Sequence, residues 1–184
     1  MVLLNSTKSK LGSSPPLFEL KSVDGTTCSL ERFRGVKAVV VMFICNHCPY
    51  VKAIEDRMIA LQRKYASKNV QLLGICSNDP TEYPDDSASS LFKRWKEKQY
   101  GFPYLIDETQ EVAQAFDAVC TPDIYLLNQD LKIVYRGRLD DNWQDASKVT
   151  KRDLEEAIDA LLASQEPDKN QHPSMGCSIK WKKS

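Results

Sequence analysis

Two thiols stand two residues apart at Cys45-Asn46-His47-Cys48, the closest spacing among the six cysteines of this 184-residue chain. The thiolate is the reactive form of cysteine, and a free thiol with a pKa of ~8.5 is mostly protonated at neutral pH. Such a pair becomes useful where a helix starts, because unpaired amides and the positive end of the helix dipole stabilise an anion there. Cys45 would then attack a disulfide, and Cys48, one turn on, would resolve the mixed disulfide. His47 lies inside the same loop. An imidazolium beside the sulfurs favours the thiolate, stabilises the reduced form and makes the pair a stronger oxidant. Zinc sites also use pairs of this spacing but need further Cys or His ligands nearby. His172, the other histidine, is in the tail, and the remaining cysteines are scattered singly.

The flanking residues predict the strand and helix that the chemistry needs. Val36 to Ile44 is almost wholly apolar, as in a strand covered on both faces. Past Cys48, Val51, Ile54, Met58, Leu61 and Tyr65 recur at three- and four-residue steps, predicting an amphipathic helix to about residue 66. Pro49 fits its first turn, where the missing N–H is not needed. Upstream, Leu17–Leu20 and Thr27–Leu30 flank the turn signal Asp24-Gly25 and predict a hairpin. Downstream come a strand over 70–76, a helix over 87–99, a strand over 102–106 and a short helix over 109–116. Paired strands at 124–127 and 132–135 and a last helix opening at Thr150 complete the pattern. Strand–helix alternation followed by an antiparallel pair is an α/β architecture with a mixed central sheet. Cys120-Thr121-Pro122 puts a proline where a strand begins, and a proline cannot donate to the ladder there.

A chain of this length fits one domain. We divide it into a flexible lead-in over 1–15, the domain over 16–164, and a polar tail over 165–184 that wraps the surface. The 25 basic and 25 acidic side chains cancel. That balance argues against nucleic acid or an anionic membrane as an obligatory partner. No run reaches the ~20 apolar residues of a membrane span, and the apolar start is too short for a signal-peptide core. These features place the protein in the cytoplasm, where six scattered cysteines do not read as a disulfide scaffold. Cys28 and Cys76 read as core residues, Arg136 and Arg138 as surface charges, and Asp140-Asp141 as a turn cap.

With these residues in place, the chain resembles the redoxin branch of the thioredoxin superfamily. The resemblance is to the alkyl hydroperoxide reductase/thiol-specific antioxidant group, and within it to a peroxiredoxin-like subgroup carrying Cys-x-x-Cys. It runs from Pro16 onward, through Cys45–Val51, Ser77-Asn78-Asp79, Phe102–Asp107, Cys120–Asp123, Tyr135–Asp141 and the tail Pro173–Trp181. It implies a thioredoxin-like fold with an N-terminal β-hairpin extension and a C-terminal tail packed on the body. It also implies a cis Thr121-Pro122 bond facing the cysteines, with backbone groups of Thr121 docking the partner chain. His47 directly precedes the second cysteine, as histidine does in strongly oxidising members. Cys120, next to this segment, becomes a candidate third redox cysteine.

The departures rank the activities. Three residues before Cys48 stands Cys45, and three before Cys45 stands Met42. Neither alignment keeps the hydroxyl with which peroxiredoxins position peroxide. Val39 replaces the buried acid of thioredoxins, and Ile44 the tryptophan before their first cysteine. The first expectation is therefore a thiol–disulfide oxidoreductase with no cofactor, using Cys45 and Cys48 and supported by His47, Thr121, Pro122 and Cys120. Its partners would be protein or small-molecule disulfides and a thioredoxin or glutathione reductant. The second is a peroxide reductase with Cys48 peroxidatic and Cys45 closing the disulfide. The third is a metal-binding protein using Cys45, Cys48 and His47 or Cys120, with His172 as a distant fourth candidate.

Overall fold

In the computed structural model, which describes residues 3–7 and 11–183, a seven-stranded mixed sheet carries helices on its faces. Its order is β3 (Thr27–Ser29), β2 (Glu19–Ser22), β6 (Tyr104–Ile106), β5 (Val70–Cys76), β4 (Ala38–Phe43), β8 (Asp123–Asn128), β9 (Ile133–Gly137). β4, β5 and β6 run parallel, and the remaining pairings are antiparallel. The hairpin β2–β3 extends one edge through β6. Parallel strands covered on both sides need apolar residues at every position, and all six residues of β4 are buried.

Side chains alternate across a strand, so β4 feeds two cores. Ala38, Val40 and Met42 pack with Val51, Ile54 and Met58 of α1 (Pro49–Tyr65) and Leu154 and Ile158 of α4 (Asp153–Leu162). Val39, Val41 and Phe43 pack on the other face with Phe116, at the end of α3 (Glu111–Ala115), and with Phe18 and Leu30 of the hairpin region. Val39 thus stands in a dry apolar layer. α2 (Ala88–Lys98) starts at Ser87, whose hydroxyl accepts from the Ser90 amide, and buries Leu91. Gly74 of β5 is closely packed: a Cβ there would lie 2.9 Å from Ile44 Cδ1 and 3.2 Å from Tyr104 Cδ2. Gly74→Ala should lower stability by about 1–3 kcal/mol, read as a urea midpoint; an unchanged midpoint would mean that the two side chains yield freely.

Three expectations need correction. Part of the lead-in is not loose: Leu3–Asn5 form β1, which pairs with β10 (Met175–Ser178), while residues 1, 2 and 8–10 lie outside the described residues. β10 also pairs with β7 (Cys120–Thr121), giving a second, three-stranded sheet. The last helix starts at Asp153 rather than Thr150, because the Thr150 amide donates to Asp141 Oδ1 and ties that residue to the preceding loop. Arg136 is not a surface charge. Its buried guanidinium pairs with Asp123, at 2.7 Å, and lies over the Tyr125 ring.

Candidate active site

β4 pairs with β5 in parallel register through Phe43, and the Ile44 amide still donates to Ile75 O. Cys45 then leaves the sheet at the carboxyl ends of its parallel strands, where open α/β sheets place their ligands. Cys48 takes the extended conformation of an N-cap residue, and Pro49 opens α1. The pair therefore sits at a helix start with both residues buried.

Asp86, on a short 3₁₀ turn after β5, fixes the loop between them. Its Oδ1 accepts from the amides of Asn46 (2.8 Å) and His47 (3.2 Å). Its Oδ2 accepts from Asn78 Nδ2 (2.8 Å) and from the His47 ring at Nδ1 (2.5 Å). Burial alone would raise the Asp86 pKa, but the bonds from His47 and Asn78 outweigh it and hold the carboxyl below its ordinary value. With Asp86 ionised, Nδ1 carries the imidazole proton, and the ring stacks on Tyr83 at 4.3 Å. His47 Nε2 is buried with no hydrogen-bond partner.

The Thr121–Pro122 bond is cis. Thr121 Oγ1 lies 3.2 Å from Cys45 Sγ, and Thr121 O lies 3.1 Å from Cys48 Sγ. The edge expected to dock a partner chain is taken by the protein's own tail. In β10, Cys177 stands opposite Thr121 and Ser178 opposite Cys120. Cys177 Sγ reaches to 2.9 Å of Cys48 Sγ. Cys120, by strand alternation, faces away from the side on which Thr121 meets the pair. Its thiol touches Pro122 O at 3.6 Å and is pushed up by burial and by Asp123.

The acidity of the sulfurs reverses the sequence-based expectation. The Cys45 thiol is pushed well up, first by burial, then by its hydrogen bond to Cys48 and by the Asp86 charge. Cys48 is pulled down to about 5, foremost by the thiol of Cys45, against its burial, with help from the Cys177 thiol and the amides of Val51 and Cys177. Cys177 rises to about 12 through burial and its bond to Cys48. As a thiol, Cys48 donates to Thr121 O. As a thiolate it would accept from the thiols of Cys45 and Cys177 and the amides of Val51 and Cys177, which is what lowers its pKa. His47 is turned to Asp86, and the groups that lower the Cys48 pKa are its sulfur neighbours and these amides, acting against burial.

Ultraviolet thiolate absorbance of the reduced protein should therefore show a step with a midpoint near 5 that Cys48→Ser removes. The linkage sign follows from a folded value below the unfolded ~8.5. This contribution to stability is lost as pH falls through about 5 and grows as pH rises from there. The gain ends near the unfolded thiol pKa, above which Cys45 and Cys177, held protonated in the fold, oppose it. Equal slopes of Tm against pH for reduced wild type and Cys48→Ser would contradict the assignment.

Cys45, His47 and Asp86 also offer ligand atoms within 4.8 Å of one another. Asp86 already receives four donors, three from the loop and one from Asn78, and a metal there would compete with them. Next to the pair, a cleft of about 280 Å³ is lined by Tyr50, Pro122, Arg138, Asp140, Trp143 and Met175. Arg57 holds one wall by pairing with Asp140 at 2.5 Å. Asp86 and the placement of Cys177 are what sequence reasoning missed. Nothing local in Pro84-Asp85-Asp86 points to a loop 39 to 40 residues earlier. The tail cysteine was visible, but not its destination.

The AhpC/TSA family model matches residues 11–136. The chain is 28% identical over 138 residues to a protein named "Peroxiredoxin Q, chloroplastic" from Suaeda salsa, a match covering 69% of this chain and 60% of that protein. A crystal structure of an uncharacterized conserved protein from Geobacillus kaustophilus superposes with a TM-score of 0.95 at 46% identity, covering 100% of this chain and 98% of that one. The thioredoxin domain of a thiol-disulfide oxidoreductase from Bacteroides vulgatus shares the fold, with a TM-score of 0.59 at 20% identity over 70% of this chain and 89% of that one. The chain belongs to the AhpC/TSA family of redoxins, built on the thioredoxin-like fold.

Proposed function

We propose that the protein is a thiol–disulfide oxidoreductase in which Cys48 attacks and Cys45 resolves. One observation carries this reading: Cys48 stands at the N-cap position of α1 with Cys177 Sγ 2.9 Å away, and its surroundings lower its pKa while raising that of Cys45. The Cys48 thiolate attacks a disulfide RSSR′, forming Cys48–S–SR and expelling R′S⁻, which takes the proton of the Cys45 thiol. The Cys45 thiolate then attacks Cys48 Sγ, closing the Cys45–Cys48 disulfide and releasing RS⁻ to be protonated by water. A thioredoxin-type dithiol, or two glutathione-type monothiols acting in turn, would return the pair to the reduced form in a reducing compartment such as the cytoplasm.

Peroxide reduction is the second reading. It is favoured by the burial of both sulfurs beneath the tail, which admits a small oxidant more readily than a protein chain. There, Cys48 would be oxidised to a sulfenic acid with release of water or alcohol, and Cys45 would close the same disulfide with loss of water. The hydroxyl missing from the sequence alignment is present in space as Thr121 Oγ1, although it is bonded to Cys45. Second-order rates of reduced protein with bis(2-hydroxyethyl) disulfide and with hydrogen peroxide separate the two. Oxidoreductase function expects ready closure by the disulfide and peroxide oxidation at little more than free-thiol rate; fast peroxide consumption with inert disulfide would overturn it.

A further inference from the structure

The tail lies where a substrate chain would. β10 pairs with the edge of β7 at the residue before the cis proline, and Cys177 faces the attacking sulfur from the position a substrate half-cystine would occupy. The fit is close. A Cβ on Gly176 would lie 2.0 Å from Thr121 O, so only glycine lets the strand approach this far. The segment is also anchored on both sides. The Ser174 amide donates to Ser6 Oγ, the Ile179 amide to Val119 O, and the Lys180 amide to Asn78 Oδ1, while Lys180 O accepts from the Asp79 amide. These bonds hold Cys177 Sγ 2.9 Å from Cys48 Sγ. A disulfide needs ~2.05 Å between the sulfurs, a closure of roughly 0.9 Å that side-chain rotation supplies.

We propose that Cys177 is a third redox-active cysteine, which takes the oxidation from Cys48 as an intramolecular Cys48–Cys177 disulfide. The proposal rests on Cys48 being the attacking sulfur. From the Cys45–Cys48 disulfide, the Cys177 thiolate attacks Cys48 Sγ. The Cys48–Cys177 bond forms, the Cys45–Cys48 bond breaks, and Cys45 leaves as a thiolate that takes up the proton Cys177 gave up. The exchange is redox-neutral, its oxidising equivalents having come from the substrate disulfide. From a mixed disulfide Cys48–S–SR the same attack releases RS⁻. The tail then acts as a built-in substrate, moving the disulfide from the helix start onto a strand close to the chain's end.

The test treats reduced full-length protein with bis(2-hydroxyethyl) disulfide, quenches in acid, alkylates and maps disulfide-linked peptides. In Cys45→Ser, Cys48 and Cys177 should lose alkylatability together and appear as one linked peptide pair, whereas Cys45→Ser/Cys177→Ser should keep a lasting adduct on Cys48. Cys45→Ala repeats the arm without the added hydroxyl, and near-ultraviolet circular dichroism checks that each variant is folded. A lasting adduct on Cys48 in Cys45→Ser with Cys177 still alkylatable, while wild type closes Cys45–Cys48, overturns the role of Cys177 alone. Absence of any intramolecular disulfide in wild type overturns the oxidoreductase reading together with it. Should both single variants fail to fold, partially oxidised wild type decides: a Cys48–Cys177 peptide beside Cys45–Cys48 is expected, and Cys45–Cys48 alone rejects the proposal.

Discussion

Cys48→Ser should bring attack on a small disulfide down to the uncatalysed rate, while Cys45→Ser should slow the attack without abolishing it. The asymmetry follows from where the charge is stabilised. Cys48 sits at the start of α1, and the thiols of Cys45 and Cys177 and the amides of Val51 and Cys177 hold its thiolate. A serine alcohol does not ionise near neutral pH, so nothing replaces this nucleophile. Cys45 contributes the leading hydrogen bond to Cys48. Its loss raises the Cys48 pKa toward the ordinary thiol range and lowers the thiolate fraction, but the helix start and the remaining donors stay. Single-turnover rates on reduced protein, with adducts located by peptide mapping, measure both effects. A dead Cys45→Ser together with a mixed disulfide trapped on Cys45 in Cys48→Ser would return the attacking role to Cys45. Hydrogen peroxide as the second oxidant adds a further discrimination: rapid consumption that survives Cys45→Ser but not Cys48→Ser would make Cys48 peroxidatic.

Asp86→Ala should cost about 3–5 kcal/mol, the loss expected when one partner of a buried, hydrogen-bonded charged cluster is removed. Asp86 is 3% exposed and accepts from two backbone amides, a histidine ring and an asparagine amide. Truncation leaves those donors buried without an acceptor, at about 1–3 kcal/mol for each bond not remade. Asp86→Asn should fall between, because its carbonyl still accepts from the loop amides while its NH₂ opposes that of Asn78. The acid limb carries the sign. A carboxyl held below its ordinary value contributes stability that is present above ~3.9 and is lost as pH falls through the folded value. The gap between wild type and Asp86→Ala in urea midpoint should therefore narrow at low pH. A loss below about 1 kcal/mol at neutral pH would show that water or a shifted loop replaces the carboxylate.

What the sequence determined by itself was local or periodic. The Val-rich run, the three- and four-residue recurrence after Pro49 and the turn at Asp24-Gly25 placed β4, α1 and the hairpin to within a few residues. Each rests on burial patterns within one element, which a single chain displays. The same logic put the cysteine pair at a strand-to-helix junction. Only the tertiary structure shows what surrounds each sulfur, because Cys48 meets groups from distant places in the chain: hydrogen-bond donors from Cys45, Val51 and Cys177, and the accepting carbonyl of Thr121. It also brought Asp86 under the Cys45–Cys48 loop, buried Arg136 against Asp123, and laid Met175–Ser178 along the edge that the sequence had reserved for a partner. Polar residues distant in the chain carry no periodicity to announce where they meet. Their partners emerge only when the sheet has closed, with buried charges and unpaired strand edges satisfied by whatever the fold brings within reach.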